Sequence, residues 1–402
     1  MGKKITTFFG LSLVVTACLG AGGWNNTLMG ARALAIGAAF AGLADDPSAI
    51  YYNPAGLVLQ QEKMNVSING LYISPTHEYS IPGGLKAESK NKNSIPQFFL
   101  TYKMNDKITL GFGAYVPYAG GGVDWTKEEL GYPFSSNLGI LSLTPSLSYR
   151  VSEKFSVGFN LNFYHGKLEV NTDMPGFGPM DSEETGSVVS AGLGLLYRPM
   201  DKLSFGLSVR GPAKMSLTGI TSITTTAPGF GTVRFDLDSE TNIKLPWDIE
   251  FGIAYRVLDN LVLSGSAQYT LWSALDRVEK VIKAVPFQGD RVDYEELNFN
   301  NILIMRVGFE YAIPNGLFIR GGFGIDRAAS PAETLSIRNI DVDKLTLIGG
   351  FGYRMGNMQI NFVAISAQGK EREKTSTLQW FPGTEKYNLS ATILGMGVTF
   401  TF

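Results

Sequence analysis

Apolar and polar residues alternate along most of the chain beyond residue 62, in segments of about ten residues or more. In one segment Phe155, Val157 and Phe159 form one face, and Ser156 and Asn160 lie on the other. A period of two is typical of β-strands with one apolar face. Hydrophobic residues make up 44% of the chain, yet no internal run reaches the roughly 18 apolar residues that a membrane-spanning helix needs. The pattern therefore predicts an all-β protein.

Connections of alternating length separate about fourteen predicted strands. The strands are expected at 63–75, 94–104, 107–117, 138–151, 153–168, 186–199, 202–217, 241–257, 260–274, 298–313, 315–327, 341–354, 357–370 and 386–402. Six connections are tight, and seven are long and polar or rich in glycine and proline. Short turns on one side, long loops on the other and an even strand number indicate a transmembrane antiparallel β-barrel of a Gram-negative outer membrane, spanning 62–402.

The alternative fold is a soluble β-sandwich or propeller, which would present a polar outer face to water. A soluble barrel would turn its apolar face inward, but about eight strands already enclose an interior that side chains can fill. Fourteen strands make a wider lumen, so the apolar face is expected to point outward to lipid.

This orientation assigns ten charged residues to the lumen face. They are Arg150, Arg198, Arg210, Glu250, Arg256, Arg306, Glu310, Arg320, Asp326 and Arg354. One interpretation is a network of ion pairs that braces the barrel from within. The other is that one or two arginines hold a carboxylate through the guanidinium fork, with Arg150, Arg256, Arg306 and Arg320 as candidates beside Glu310. The sequence leaves both interpretations open.

The last predicted strand ends on an aromatic residue. Phe402, Phe400 and Val398 share one face of it. This ending resembles the signal that outer-membrane proteins present to their barrel assembly machinery. We therefore expect that machinery and outer-membrane lipid as partners, and we expect a monomer.

Residues 1–21 have the pattern of an export signal. Lys3 and Lys4 precede an apolar stretch at 5–19, and small residues follow it. The alternative is a buried N-terminal helix. Cys18 is the one cysteine of the chain, so cleavage after Gly20 or Gly22 leaves a mature chain without thiol chemistry or cysteine zinc sites. The residues before Cys18 resemble a lipoprotein processing box, which leaves lipidation as a second possibility.

Residues 22–61 do not alternate and are dominated by alanine and glycine. The stretch 29–43 predicts a thin helix, which Asp45, Asp46 and Pro47 would end. A compact apolar segment ahead of the first strand suits a plug, or hatch, inside a wide lumen. The alternative is a periplasmic tail or linker.

Three motifs of this segment resemble one known family. The stretches 30–40 (GARALAIGAAF), 44–48 (ADDPS) and 53–57 (NPAGL) are similar to the hatch of the outer-membrane long-chain fatty-acid transporters, the FadL/TodX-type hydrophobic compound channels. The resemblance implies a fourteen-stranded barrel and passive uptake of hydrophobic molecules, long-chain fatty acids first and aromatic hydrocarbons as the alternative. It also implies capture at the extracellular loops and a hatch that moves around Asn53, Pro54 and Ala55.

In the family the substrate leaves sideways through a kink in the third strand. By position, this kink falls at 112–117, where Gly111, Gly113 and Pro117 weaken or interrupt hydrogen bonding between strands. The alternative is that Pro117 ends the strand at the membrane surface. Tyr118 and Trp125, in the predicted second long loop, are candidates to line an entrance for an apolar ligand.

Other classes of function find little support in the sequence. A net charge of −2 gives no electrostatic argument for nucleic acid. Only His77 and His165 are available for catalysis, and there is no nucleophile, phosphate-loop or metal-ligand motif. We expect no enzyme, cofactor or metal. The rivals that stay open are a hydrophilic diffusion pore and a structural or adhesive surface protein.

Overall fold

A computed structural model describes residues 22–82, 84–174, 178–227, 231–286, 288–376 and 383–402. The predicted signal at 1–21 and the predicted lipidation of Cys18 lie outside these residues. In the described ranges, none of the helices has the length and apolar character needed to cross a membrane.

Twenty strands account for most of the described chain. They are β1 (Met64–Ser80), β2 (Lys86–Lys90), β3 (Asn93–Lys103), β4 (Ile108–Trp125), β5 (Phe134–Ser152), β6 (Phe155–Met174), β7 (Gly178–Met200), β8 (Leu203–Arg210), β9 (Ala213–Ala227), β10 (Gly231–Leu245), β11 (Asp248–Leu258), β12 (Leu261–Thr270), β13 (Arg277–Val285), β14 (Gly289–Glu296), β15 (Ile302–Ile313), β16 (Leu317–Asp326), β17 (Lys344–Met355), β18 (Met358–Gly369), β19 (Arg372–Thr375) and β20 (Thr384–Thr401). The helices are α1 (Ala31–Ala35), α2 (Ala49–Tyr52) and α3 (Lys127–Leu130), with 3₁₀ turns at Pro54–Leu59, Trp272–Ala274 and Ala332–Thr334.

Fourteen of these strands close into one antiparallel barrel. Their order around the wall is β1, β3, β4, β5, β6, β7, β8, β11, β12, β15, β16, β17, β18 and β20. The wall closes where β20 pairs with β1 along the full length of β1, from Asn65 opposite Thr401 to Ser80 opposite Lys386. The predicted fold class is confirmed, and each predicted strand overlaps one strand of the wall.

The two faces of the wall differ as the alternation predicts. On β17 the outward Leu347 is 67% exposed, whereas the neighbouring inward Thr346 is 8% exposed. Val307 on β15 and Phe351 on β17 also project outward. The outer face is therefore apolar, as the sequence predicts for a surface in contact with lipid.

Six further strands extend the wall on the side of the long connections, where the sequence suggested loops. The largest addition is the hairpin β9–β10, which leaves the wall after Gly211–Pro212 and returns at Pro246. Proline cannot donate to a β-ladder, so the two prolines interrupt the single strands expected at 202–217 and 241–257. Strands β7, β9, β10, β13 and β14 form a continuous sheet above the barrel. The connection predicted at 169–185, one of the seven long ones, is also mostly strand, because β6 and β7 continue through most of it.

The N-terminal segment, residues 22–61, lies inside the barrel and is almost entirely buried. Its helix α1 contacts β16, β17, β18 and β20, and the turn Pro54–Leu59 contacts β4, β5, β6 and β7. The expected helix over 29–43 is wrong in length, since α1 ends at Ala35 and Gly37 adopts a positive φ of 76°. Gly37 approaches the wall closely, and a Cβ atom there would lie 2.5 Å from the carbonyl oxygen of Val307.

Candidate functional site

An apolar cavity of about 370 Å³ lies at the end of the barrel that carries the long connections. Outer-membrane barrels place their long loops outside the cell, so this end is extracellular. The lining is mainly aliphatic and aromatic, and it includes Trp24, Phe134, Leu138, Ile223, Ile243 and Leu297. The volume falls within the range of about 300–1,000 Å³ typical of small-molecule pockets. Strands β9, β10, β13 and β14 of the sheet above the barrel contribute much of the lining of this cavity.

Charged groups lie at the edge of this apolar lining. The Arg338 guanidinium stacks on the Phe134 ring at 5.2 Å from the centroid. Burial raises the pKa of the Glu295 carboxyl, and Arg338 opposes that shift. The cavity therefore combines an apolar interior with a cation at its rim.

An aromatic cluster in the lumen begins at the cavity. Trp24 lines the cavity and makes edge contacts with Trp272 and Phe299 at centroid distances of 6.3 and 6.1 Å. Trp272 contacts Tyr118, which in turn contacts Tyr164 at 5.9 Å. An apolar lumen is unusual for a water-filled pore, whose interior is polar.

The third strand of the wall, β4, separates from its neighbour β3 beside this cluster. Their ladder ends at Phe98 opposite Ala114, although β3 begins at Asn93 and β4 runs to Trp125. A register shift on β4 follows between Tyr115 and Tyr118, against β5. Every residue at 115–120 is buried, so the inside–outside alternation stops and β4 bends into the lumen.

The N-terminal segment takes the place of β3 at this break. Asn26 donates from its backbone nitrogen to the Pro117 oxygen at 2.8 Å and from Nδ2 to the Val116 oxygen at 2.6 Å. The Ala119 nitrogen donates to the Trp24 oxygen at 2.9 Å. On the other side of the break, the Gln97 side chain of β3 hydrogen-bonds the backbone at Leu28 and Gly30. Residues 24–30 therefore bridge the gap between β3 and β4.

One alternative and one expectation about β4 need correction. Pro117 does not end the strand, because it lies in the bulge and β4 continues to Trp125. Gly111 and Gly113 lie below the break, in the paired part of β4, where their missing side chains make room for Ile50.

The two residues proposed as entrance aromatics are also placed differently. Tyr118 and Trp125 belong to β4 and not to a loop, and both are fully buried. Trp125 donates from Nε1 to the Ile337 oxygen at 3.0 Å, whereas Tyr118 belongs to the lumen cluster. The inward bend of β4 explains both positions, since it removes these side chains from the surface that an unbroken strand would reach.

Asn53, Pro54 and Ala55 anchor the N-terminal segment to the barrel wall. Asn53 donates from Nδ2 to the Ala41 and Leu195 oxygens at 2.9 and 3.0 Å, and its Oδ1 accepts from the Ala55 nitrogen at 3.1 Å. Pro54 begins a 3₁₀ turn, and the Ala55 oxygen accepts hydrogen bonds from Ser148 and Ser156. This one motif therefore contacts β5, β6 and β7.

A cluster of charges fixes the same segment to the opposite wall. Arg32 makes two hydrogen bonds of 2.9 Å to Glu310, and it pairs with Asp45 at 2.6 Å. Arg320 is 2% exposed and donates from Nε to Glu310 at 2.6 Å. Burial raises the pKa of the Asp46 carboxyl next to this cluster, against the lowering effect of Arg32. A polar cavity of about 470 Å³ at the periplasmic end reaches Arg32 and both aspartates.

The other candidate arginines make different contacts inside the barrel and at its periplasmic turns. Arg306 pairs with Asp326 at 2.8 Å and donates to Thr27 at 3.0 Å. Arg150 donates to the Val58 oxygen at 2.6 Å. Arg256 is exposed at a periplasmic turn and donates to the Asp259 oxygen. Arg306 and Arg320 thus have acidic partners, and whether any of the four arginines binds a carboxylate stays a prediction.

Arg210, which strand phase assigned to the lumen face, pairs with Asp248 at 3.0 Å and lies over the Tyr51 ring at 4.3 Å. Three other residues at this site were not candidates from the sequence. Trp24, Asn26 and Gln97 meet residues that lie far away in the sequence, so no local pattern marks them. Within the described ranges, no group of three or more His, Cys, Asp or Glu side chains could hold a metal ion.

The closed fourteen-stranded wall, its apolar outer surface and the buried N-terminal segment are the features of an outer-membrane β-barrel that holds a segment of its own chain in the lumen. Comparison with known proteins identifies the family. A family model described as outer membrane protein transport protein (OMPP1/FadL/TodX) matches residues 13–402, so the chain belongs to this family. The expected family and the Gram-negative outer-membrane location are confirmed, and members of the family transport hydrophobic compounds.

The relatives and solved structures match over most of their lengths. Outer membrane protein P1 of Haemophilus influenzae is 22% identical over 91% of this chain and 94% of its own. The long-chain fatty acid transport protein of Escherichia coli is 22% identical over 79% and 80%. A Pseudomonas aeruginosa FadL homologue has a TM-score of 0.76 at 18% identity, covering 97% and 99% of the two chains. The Pseudomonas putida toluene transporter TodX has a TM-score of 0.74 at 15% identity, covering 97% and 100%. At these identities, the structures show a shared fold.

Proposed function

We propose that this protein carries hydrophobic small molecules passively through the outer membrane by a route that begins in the extracellular apolar cavity and ends between β3 and β4. The proposal rests on one observation: Trp24 lies both at the cavity, where the route begins, and at the gap between β3 and β4, where it ends. Trp24 lines the cavity, and its backbone pairs with β4 at the break in the wall. A molecule that enters the cavity therefore meets the segment that fills the gap.

The capture step uses the apolar lining. A hydrophobic compound that leaves water for this cavity gains free energy in proportion to the apolar area it buries, at about 25 cal/mol per Å². The polar saccharide layer outside the membrane excludes apolar solutes. A dedicated capture site lets these solutes cross it.

The exit step uses the break in the wall. Beyond Ala114, the ladder bonds that would join β4 to β3 are replaced by bonds to residues 24–30. Withdrawal of this segment opens a gap between two strands without breaking any bond of the β3–β4 ladder itself. The compound then passes from the lumen into the hydrocarbon layer. In this proposal Asn53, Pro54 and Ala55 hold the rest of the segment as a hatch while its first residues move.

Long-chain fatty acids are the first substrate class, and aromatic hydrocarbons are the alternative. The cavity's apolar lining suits either class. The exposed Arg338 guanidinium at its rim suits a carboxylate, because an arginine fork can bind both oxygens. The aromatic cluster of Trp24, Trp272 and Phe299 suits an aromatic ring, which gains from edge contacts.

Uptake into intact cells tests the proposal. Cells that lack their own hydrophobe channel would express the chain or its Asn53→Ala variant, and labelled oleate and labelled toluene would be compared at equal outer-membrane amounts. We expect uptake of at least one compound with the native chain and several-fold less with the variant, because Asn53 loses its bonds to Ala41 and Leu195. Uptake of neither compound, despite confirmed insertion, would refute the transport route.

A hydrophilic diffusion pore is the rival that the same cells can exclude. It predicts that small sugars enter faster when the chain is present and that oleate and toluene do not. The proposal predicts the reverse, because the lumen is filled by apolar side chains and the N-terminal segment.

A further inference from the structure

A ring of polar side chains lies in the sheet beside the apolar cavity, and its Lys280 lines the cavity directly. Lys280 of β13 donates to Ser182 at 2.7 Å and lies 3.2 Å from Glu184, both on β7. Ser239 of β10 donates to the same Glu184 oxygen at 2.6 Å. Thr221 of β9 closes the ring, with distances of 2.9 Å to both Ser182 and Ser239. Four strands of the sheet above the barrel therefore contribute to one network.

The backbone explains how a glutamate on β7 reaches a serine two strands away. Glu184 is opposite Gly219 on β9, and Gly219 is opposite Ser239 on β10. Residues opposite each other on adjacent strands share a face, so the Glu184 side chain passes over the place where Gly219 has no side chain. Burying an ion pair costs desolvation free energy, which only close geometry and further hydrogen bonds offset. We therefore expect the Lys280–Glu184 pair to have a role other than packing.

Two hydrogen-bonding groups at this ring remain free to meet a ligand. Thr241 is 1% exposed and lines the cavity, and its hydroxyl has no partner among the described residues. Lys280 also lines the cavity and has three N–H donors, of which Ser182 and Glu184 occupy two. Thr241 is opposite Lys280 on the neighbouring strand, so both groups lie on the same face.

The charges of the ring determine what the two groups can bind. Glu184 is fully buried and neutralises Lys280, and its second oxygen has no partner in the part of the chain that the structure describes. A carboxylate ligand would add a second negative charge beside a buried one, which is unfavourable at low dielectric. A neutral oxygen accepts from Lys280 and Thr241 without that repulsion.

From these contacts we infer that Thr241 and Lys280 form a polar subsite that binds a neutral oxygen function, a hydroxyl or carbonyl group, of an otherwise apolar compound in the cavity. The inference rests on the proposed function, since it names a feature of the compounds that the cavity captures. Pure hydrocarbons would bind without this contact. The subsite thus selects oxygenated hydrophobes over hydrocarbons of the same size.

Binding of three matched probes to the full chain in lipid nanodiscs tests the subsite. Labelled naphthalene, 1-naphthol and 2-naphthoate share a ring system and differ in their polar group. Equilibrium dialysis, corrected with empty nanodiscs, gives each Kd. One new hydrogen bond to a buried group predicts 1-naphthol binding about tenfold tighter than naphthalene. The carboxylate of 2-naphthoate can be held by Arg338 at the rim instead, so its Kd should not depend on Thr241.

The variant Thr241→Val keeps the shape of the side chain and removes its hydroxyl. We expect it to reduce the preference for 1-naphthol at least about threefold while the Kd of naphthalene stays unchanged. Thr218→Val on the exposed face of β9 is the matched control and should change neither value.

The possible failures have separate meanings. Equal binding of 1-naphthol and naphthalene by the native chain, or a loss of 2-naphthoate affinity in Thr241→Val equal to the loss for 1-naphthol, would overturn the neutral-oxygen subsite while the capture cavity stands. A parallel loss of both affinities in Thr241→Val would show a structural role only and would overturn the subsite as well. Binding of no probe by the native chain would overturn both the subsite and the proposed capture.

Discussion

At the scale of single residues, the N-terminal segment is held by a few side chains that each contact several partners. Asn53 connects three pieces of backbone, and Glu310 joins Arg32 of the segment to Arg320 of the wall. The sequence placed Glu310 and Arg320 on the lumen face from strand phase alone. The sequence could not predict that Arg32 pairs with Glu310, because the two residues are 278 positions apart and meet only in the closed barrel.

Substitution of Glu310 tests whether this charge cluster holds the segment in place. Glu310→Gln leaves Arg32 and Arg320 buried without their shared carboxylate, and breaking a buried pair typically costs about 3–5 kcal/mol. We expect several-fold faster entry of a hydrophilic antibiotic into cells. The matched control is Glu62→Gln, an exposed residue at the periplasmic cavity. Equal entry with the native chain and both variants would refute a role of the cluster in closure.

At the scale of elements, period-two alternation predicted every strand of the wall but not the additional strands beyond it. Strands that leave the membrane keep the same alternation, so a sequence cannot show where the wall ends. At β9 and β10 the informative residues were Pro212 and Pro246, which interrupt the ladder. At β4 the bulge around Val116 and Pro117 changed the direction of the strand, so Tyr118 became a lumen residue instead of a loop residue.

Deletion of the hairpin β9–β10 tests whether the capture cavity can be removed while the barrel wall still folds. Arg210 of β8 is already opposite Asp248 of β11, so the wall stays paired when residues 213–245 are replaced by a short linker. We expect the folded barrel to form, as judged by its heat-modifiable mobility on gels, and hydrophobe uptake to fall at least several-fold. Ile223, Thr241 and Ile243 of the cavity wall are lost in this variant. Full uptake after the deletion would remove the cavity from the route.

At the scale of the whole molecule, the barrel is wide enough for a pore, and the buried N-terminal segment contacts opposite parts of its wall. The width follows from the number of strands, which the sequence predicted. In our proposal, residues 22–61 close the barrel. The small side chains of this segment predicted a plug, but they could not show its contacts. The resulting lumen is apolar near the cavity and polar at the periplasmic end.

Removal of the whole N-terminal segment tests this occlusion. A chain in which the predicted export signal, residues 1–21, is joined directly to residue 62 should give a large, steady ionic conductance in planar bilayers, because a barrel of this width encloses water. The native chain should give little. Native conductance equal to that of the truncated barrel would identify a diffusion pore.

The central claim is that the first residues of the N-terminal segment must leave β4 for a compound to exit sideways. Asn25 is opposite Tyr118 in an isolated bridge, and such pairs bring Cα atoms within about 4.5–5.5 Å, which suits a disulfide. The double variant Asn25→Cys/Tyr118→Cys would therefore lock the segment to β4. Each single variant is its control.

The decisive measurement is hydrophobe uptake by cells carrying this double variant, before and after reduction. The account predicts uptake near background when the disulfide is formed, recovery on reduction to the level of the single variants, and no response to reduction in those controls. Uptake by the oxidised double variant equal to that of the single variants, with the disulfide confirmed by mass spectrometry, would contradict it.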